Sequence, residues 1–243
     1  MKIQVFILAL FLSLKTWSFT PYEAHYQLSI NGIKIAEEVR TLHQLKDAFF
    51  YTANAKTSGL ASIIKDYSVS ASSTFVINEN GVDGLNYQIM EQSGKEIENY
   101  AIDIHSKNKT VSSILTKTRP NVVIWKTEGG NIVDPLNLFL AVSFDLKAHP
   151  QNSDFHYQVA NGKSIEKHHY QKTKAGGVNP DLQEENTLAI KRIGDNNNKI
   201  EAYFLSDYEF IPALILRTNG SKEYVYQLKR LKFTDKSQLQ VVF

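Results

Sequence analysis

The sequence predicts a mainly β protein: a large curved antiparallel sheet, or half-open barrel, wrapped around one buried helix at about residues 134–146. Three features predict it. Short alternating apolar runs recur along the chain, with turn signals at roughly the 8–12-residue spacing of an antiparallel meander. The 12 Tyr and 13 Phe suit half-buried strands, where aromatic rings sit well on a pleated surface. One segment alone, Asp134–Leu146 (DPLNLFLAVSFDL), carries a helix start followed by apolar residues around almost its whole circumference.

In chain order, the first 18 residues predict a secretory signal. Met1-Lys2 is a short basic start, and Ile3–Leu14 is an apolar run of signal-peptide length. Thr16 and Ser18 are the small or near-small residues ahead of a cleavage site before Phe19. The rival reading is an uncleaved anchor, but the run is short for a span, which needs about 20 apolar residues. The expected compartment is the periplasm, with membrane association peripheral at most. Residues 19–243 are expected to form a single β-rich domain, its strands in two runs, 22–127 and 155–233, divided by the helix.

Tyr22–Ile30 alternates Tyr26, Leu28 and Ile30 with polar residues, and Asn31-Gly32 is a strong hairpin signal. The return strand, Ile33–Leu45, alternates Ile33, Ile35, Val39 and Leu42, with a slip near Glu37-Glu38 that predicts a bulge. Phe49–Thr57 places Phe49, Tyr51, Ala53 and Ala55 on one face. Ser58–Tyr67 reads as a bent strand or as a single helical turn. Val69–Asn78, Leu85–Gln92, Ile97–Ser106, Thr110–Lys117 and Val122–Thr127 complete the first run.

Asp134 is then a good N-cap, and Pro135 sits where its missing N–H costs nothing. A helix of about thirteen residues that is apolar all round is too short to span a bilayer and must be buried. In the second run, Phe155–Val159 and Ile165–Lys172 bracket the Asn161-Gly162 turn, and Lys174–Glu185 reads as a long loop. Leu188–Ile193, Ile200–Ser206, Ala213–Arg217 and Tyr224–Phe233 follow. Roughly ten to twelve strands in an open sheet would curl strongly, and the helix would lie in the concavity.

Three segments carry a resemblance: Pro21–Glu37 with its Ile30-Asn31-Gly32-Ile33 turn, Asp134-Pro135-Leu136, and Tyr203–Asp207 followed by Ile211-Pro212-Ala213. In order and spacing they resemble the exported bacterial family called domain of unknown function 3108. The chain departs from it at Ala36, where the family usually has Gly, and in the helix, where a basic residue is common. The resemblance implies a periplasmic protein with a curved antiparallel sheet, similar in shape to lipoprotein-carrier half-barrels. It implies no catalytic residues.

The charge balance gives no footprint for nucleic acid: 27 Lys+Arg face 25 Asp+Glu, and Lys2 and Lys15 would leave with the signal. The absence of cysteine excludes a disulfide, a thiolate nucleophile and Cys-ligated zinc. His168-His169 would point to opposite faces of a strand, so no metal site is expected. Ser206-Asp207 lacks a nucleophile elbow and reads as a turn. Glu37-Glu38 and Glu184-Glu185 read as solvated faces. No cofactor and no catalytic residue is expected.

Strand aromatics are the candidate lining of an apolar cavity beside the helix: Tyr26, Tyr51, Tyr87, Tyr100, Trp125 and Tyr203, with Phe139 and Leu140 from the helix itself. The competing reading is that they simply form the core. The leading functional expectation is non-enzymatic binding of an apolar or amphipathic, lipid-like ligand in cell-envelope maintenance. The alternative is an envelope interaction or assembly module with no small-molecule ligand, and a hydrolase is a distant third.

Overall fold

The sheet grows in both directions from its first strand. The computed structural model describes residues 18–59, 62, 66–116, 120–174, 186–194, 198–234 and 240–242. β1 (Tyr22–Ile30) pairs with β2 (Ile33–Gln44), and the chain steps outward through β3 (Phe49–Thr57), β4 (Tyr67–Asn78), β5 (Gly81–Ser93), β6 (Glu96–His105) and β7 (Thr110–Thr116) to β8 (Pro120–Lys126). It then crosses over through β9 (Ile132–Val133) and the helix α1 (Leu138–Ala148). It returns through β10 (Asp154–Ala160), β11 (Ile165–Thr173), β12 (Thr187–Ile193), β13 (Asn198–Leu205), β14 (Ile211–Asn219) and β15 (Lys222–Phe233). β15 closes onto the free side of β1, and a short β16 (Gln240–Val242) adds to β15.

Among the described residues the result is one 16-stranded sheet, antiparallel except for the β9–β10 pair. It has two wings, β2–β8 and β9–β15, hinged on β1. The sheet is large, open and curved, and its concave side wraps the helix, as the sequence predicts. Sixteen strands exceed the expected ten to twelve. β9 and β16 are too short to show a period.

The Asn31-Gly32 hairpin forms with both residues in the left-handed region, φ 48° and 80°. The slip expected at Glu37-Glu38 lies earlier, where the β1–β2 register shifts between Leu28 and Ser29. That shift sets the parity of β2. Ala36, Glu38, Arg40 and Leu42 face inward and are buried, while Val39 lies on the other face. The solvated reading therefore holds for Glu37 but is corrected for Glu38.

Regular α-helix starts at Leu138 and ends at Ala148, later at both ends than the predicted 134–146. Asp134 still caps it. Its Oδ1 accepts the N–H groups of Leu136 (2.8 Å) and Asn137 (2.9 Å), and its carbonyl accepts that of Leu138 (3.0 Å). The intervening Pro135–Asn137 turn delays the regular repeat. Leu138, Leu140–Phe144 and Leu146 are all buried, as an all-round apolar helix must be. The Lys174–Glu185 loop and the signal segment lie mostly outside the described residues, as do residues 60, 61 and 63–65 of the Ser58–Tyr67 segment.

The main core is the concave face plus the helix. Phe19 packs edge-on against Phe49, Phe75 and the helix residue Phe144, with centroids 5.9–6.5 Å apart. Wing two holds the far half of the helix through the corner between β13 and β14. Ser143 Oγ sits 2.7 Å from the Phe210 carbonyl, and Lys147 pairs with Glu209. Glu209 and Phe210 are both left-handed, φ 58° and 55°, so this corner holds a backbone conformation that neither residue prefers.

Candidate functional site

Seven of the eight candidate lining residues belong to the main core or pack against it. Tyr26 Oη donates to the Pro212 carbonyl (2.9 Å), and its ring lies under the Arg40 guanidinium (4.9 Å). Tyr51 Oη accepts from Tyr22 Oη (3.1 Å). Burial raises the phenol pKa of Tyr26 and Tyr51, so both stay protonated. Tyr87 and Tyr100 meet at 5.9 Å. Trp125 is half-buried against the core. Phe139 packs on Tyr170 (6.5 Å) and Phe204 (6.2 Å), and Leu140 is buried. None of these side chains borders the cleft described below.

Tyr203 is a correction. It packs with Ala189 and Leu214 in a separate small cluster, whereas its neighbours Ala202 and Phe204 belong to the main core. Adjacent strand residues face opposite sides, so Tyr203 points away from the helix.

Two polar groups sit inside the concave face. Near β1, Arg40 Nε bonds Glu38 Oε1, both buried. At the helix start, Ser73 Oγ donates to Asp134 Oδ2 (2.6 Å) and accepts from Asn137 Nδ2 (3.1 Å), while Asn137 Oδ1 accepts the Asp134 N–H (2.9 Å). Burial pushes the Asp134 carboxyl up to about 6 despite these donors. This network is fully partnered and ties the helix to β4. It is an anchor, with no group left over for a ligand.

One open site lies where the wings approach each other a second time. On the wing-one side stand the β4–β5 turn and the start of β5; on the other, β10 and β11. The contact is made by β9, the helix and side chains. Ile132 N–H donates to Asp83 Oδ1 (3.2 Å), Gln158 Nε2 to the Gly129 carbonyl (2.7 Å), and Ser113 Oγ to the Gly162 carbonyl (3.0 Å). Tyr100 lies flat enough on Gly162 that an added Cβ would fall 2.5 Å from the ring.

A cleft of about 420 Å³ opens at this seam. Buried Val82, Val133 and Ala141 form its apolar base. Asp145 and Tyr157 stand in its wall, with Tyr157 Oη donating to Asp145 Oδ2 (2.6 Å). Burial raises the pKa of both. The rim is polar. Lys167 Nζ meets Glu128 Oε2 at 2.9 Å, and His156 stacks on His169 at 4.4 Å. His169 Nε2 is 2.9 Å from Asp154 Oδ1, and Ser153, His169 and Gln171 together hold that carboxyl down at about 2.

His168 faces inward and contacts Glu166 (3.0 Å), on the opposite side of β11 from His169. Among the described residues, no three metal-capable side chains converge. Ser206 and Asp207 start a 3₁₀ turn and bond to Asn186, Ser206 Oγ to its carbonyl (3.1 Å) and Asp207 Oδ2 from its amide (2.6 Å).

No family model and no curated protein matches the sequence. In fold the chain is similar to a solved structure, a β-barrel-like protein of domain of unknown function DUF1849 from Brucella abortus. It aligns with a TM-score of 0.57 at 10% identity, over 89% of this chain and 99% of that one. At this identity the likeness shows the fold, a β-barrel-like sheet, and nothing of the site.

Proposed function

We propose that this is an exported, non-enzymatic binding protein of the cell envelope that takes a small amphipathic ligand in the seam cleft. The observation that carries the reading is the cleft itself. Its volume of about 420 Å³ lies in the range of small-molecule sites, and its apolar base beneath a polar rim matches a short apolar moiety bearing a polar head. The concavity offers a long acyl chain less, because Phe139 and Leu140 pack there against wing two.

Membership of the domain of unknown function 3108 family and a periplasmic location belong to the same proposal. Their support is the basic-apolar start of the chain, the three matching segments, and a core whose first side chain among the described residues is Phe19, directly after the proposed cleavage site.

Native mass spectrometry of protein purified from the envelope fraction, with titration by a short-chain lysophospholipid, tests the ligand. The expected result is a co-purified small amphiphile or saturable binding, weakened about tenfold or more by Ala141→Leu, which fills the base of the cleft (about 1.4 kcal/mol). Absence of both adducts and binding would overturn the reading, as would binding that is indifferent to Ala141→Leu in a variant of wild-type melting temperature. Sequencing of the mature N-terminus from a periplasmic extract should begin at Phe19.

A further inference from the structure

The two ends of the sheet are finished differently. At one end, β9 is two residues long, and its Ile132 N–H is satisfied by Asp83 of the opposite wing. At the other, β8 is seven residues long and, among the described residues, has β7 as its only strand partner. Edge strands are normally blunted by shortness, Pro or Lys on the edge, a bulge, an inward charge or cover, and β8 carries Pro120 and Lys126 only at its two ends. β8 pairs with β7 without a register shift from Thr110↔Lys126 to Thr116↔Pro120. Along it, Val122, Val123 and Ile124 are 56%, 39% and 67% exposed. Val122 and Ile124 share the outer face with Ile114, the direct partner of Val122 on β7, itself 37% exposed.

We infer that β8 is a pairing edge for the β8 of a second copy of this chain, the two strands running antiparallel about a two-fold axis at Val123. An occupant of this edge must offer both a row of backbone donors and acceptors and apolar side chains on both faces, which a strand does and a membrane surface does not. The strand is complementary to itself. In the symmetric register Val123 faces Val123, Val122 faces Ile124, and Lys126 faces Pro120. The two Lys126 then lie about 20 Å apart, so no like charges are opposed. On the outer face, Ile114, Val122 and Ile124 of each copy merge into one apolar stripe, in which Val122 and Ile124 each gain an apolar cross-strand neighbour.

The chain has no cysteine, so a single introduced thiol reports the register without background. In the symmetric pair the two residues at 123 are directly opposed, about 4.5–5.5 Å apart at Cα, within disulfide reach. The two residues at 122 are diagonal, about 7–8 Å apart, beyond it. Mild oxidation should therefore cross-link Val123→Cys into a dimer and leave Val122→Cys monomeric. Sedimentation velocity should show a concentration-dependent dimer for the unmodified protein and a monomer for Ile124→Lys at unchanged melting temperature, the side chain being exposed. A protein that stays monomeric across the concentration series overturns the inference. So does equal cross-linking at 122 and 123, or an Ile124→Lys variant that dimerises as the wild type does.

Discussion

The two wings of the sheet meet twice, and the two meetings rest on different chemistry. At β1 they meet through continuous ladders, nine residues of β1 pairing with β2 on one side and with β15 on the other. The polar side chains there are partnered beneath an intact backbone: Glu38 by Arg40, Tyr51 by Tyr22, and Tyr26 by the Pro212 carbonyl. At the seam no long ladder spans the gap. Closure depends on the helix, on β9 and on single side-chain bonds such as Ile132 to Asp83 and Ser73 to Asp134. A ladder spreads a defect over many backbone bonds, whereas a seam of single bonds concentrates it. The open cleft lies in the concentrated junction, where a ligand can replace side-chain contacts without breaking a sheet.

The largest effect is expected where one residue anchors the seam. Asp134→Ala removes the helix cap and leaves the Leu136 and Asn137 N–H groups and the Ser73 hydroxyl buried without acceptors. The expected loss is about 4 kcal/mol, measured by urea unfolding. A loss under about 1 kcal/mol would show that the helix is held by packing alone.

The same carboxyl gives the seam a pH dependence. Its folded-state pKa is raised to about 6, so the folded protein binds more protons than the unfolded chain between roughly pH 4 and 6. Its contribution to stability is thus full below the unfolded value and is lost as pH rises through about 6, by up to about 3 kcal/mol. Asp145, raised by burial in the cleft wall, acts in the same direction. Asp134→Asn keeps an acceptor for the cap but cannot titrate, so the difference in stability between wild type and variant should shift across pH 4–7. A difference that is constant over that range would refute the assignment.

Gly84→Ala is next, at about 2 kcal/mol. An added Cβ would lie 2.9 Å from the Ile132 carbonyl oxygen and 2.8 Å from Ile104 Cδ1, forcing β9 away from β5. The effect should concentrate in the seam. Hydrogen exchange of the β9–β10 amides should accelerate before that of β1–β15.

These positions also mark what the sequence reveals and what it hides. β1 and β3 fall on their predicted bounds because period-2 alternation and an Asn-Gly turn act locally. The inward Glu38-Arg40 pair is concealed because alternation patterns assign polar residues outward, and a bulge at Ile35, two residues before the expected slip, reverses the parity. Tyr203 reads as a cavity aromatic by residue type, yet strand geometry allows only one of an adjacent pair inside, and that place goes to Phe204. The cleft was hidden by a loop length. A two-residue turn at Asn161-Gly162 would set His156 opposite Lys167; the actual turn runs to Ser164 and sets it opposite His169. That two-residue difference assembles the stacked histidines on the rim.

The smallest effect is expected at the β1 junction, and it is the sharpest control on the comparison. Tyr26→Phe deletes one buried hydrogen bond, leaving the Pro212 carbonyl without its donor, while the ring keeps its place under Arg40. Loss of one neutral hydrogen bond costs about 1 kcal/mol. Because ladders flank Tyr26 on both sides, the loss should appear as a small global drop in stability with unchanged order of exchange between β1–β15 and the seam. If Tyr26→Phe instead opens β1–β15 ahead of β9–β10, the central junction depends on side chains as much as the seam does, and the distinction between the two fails.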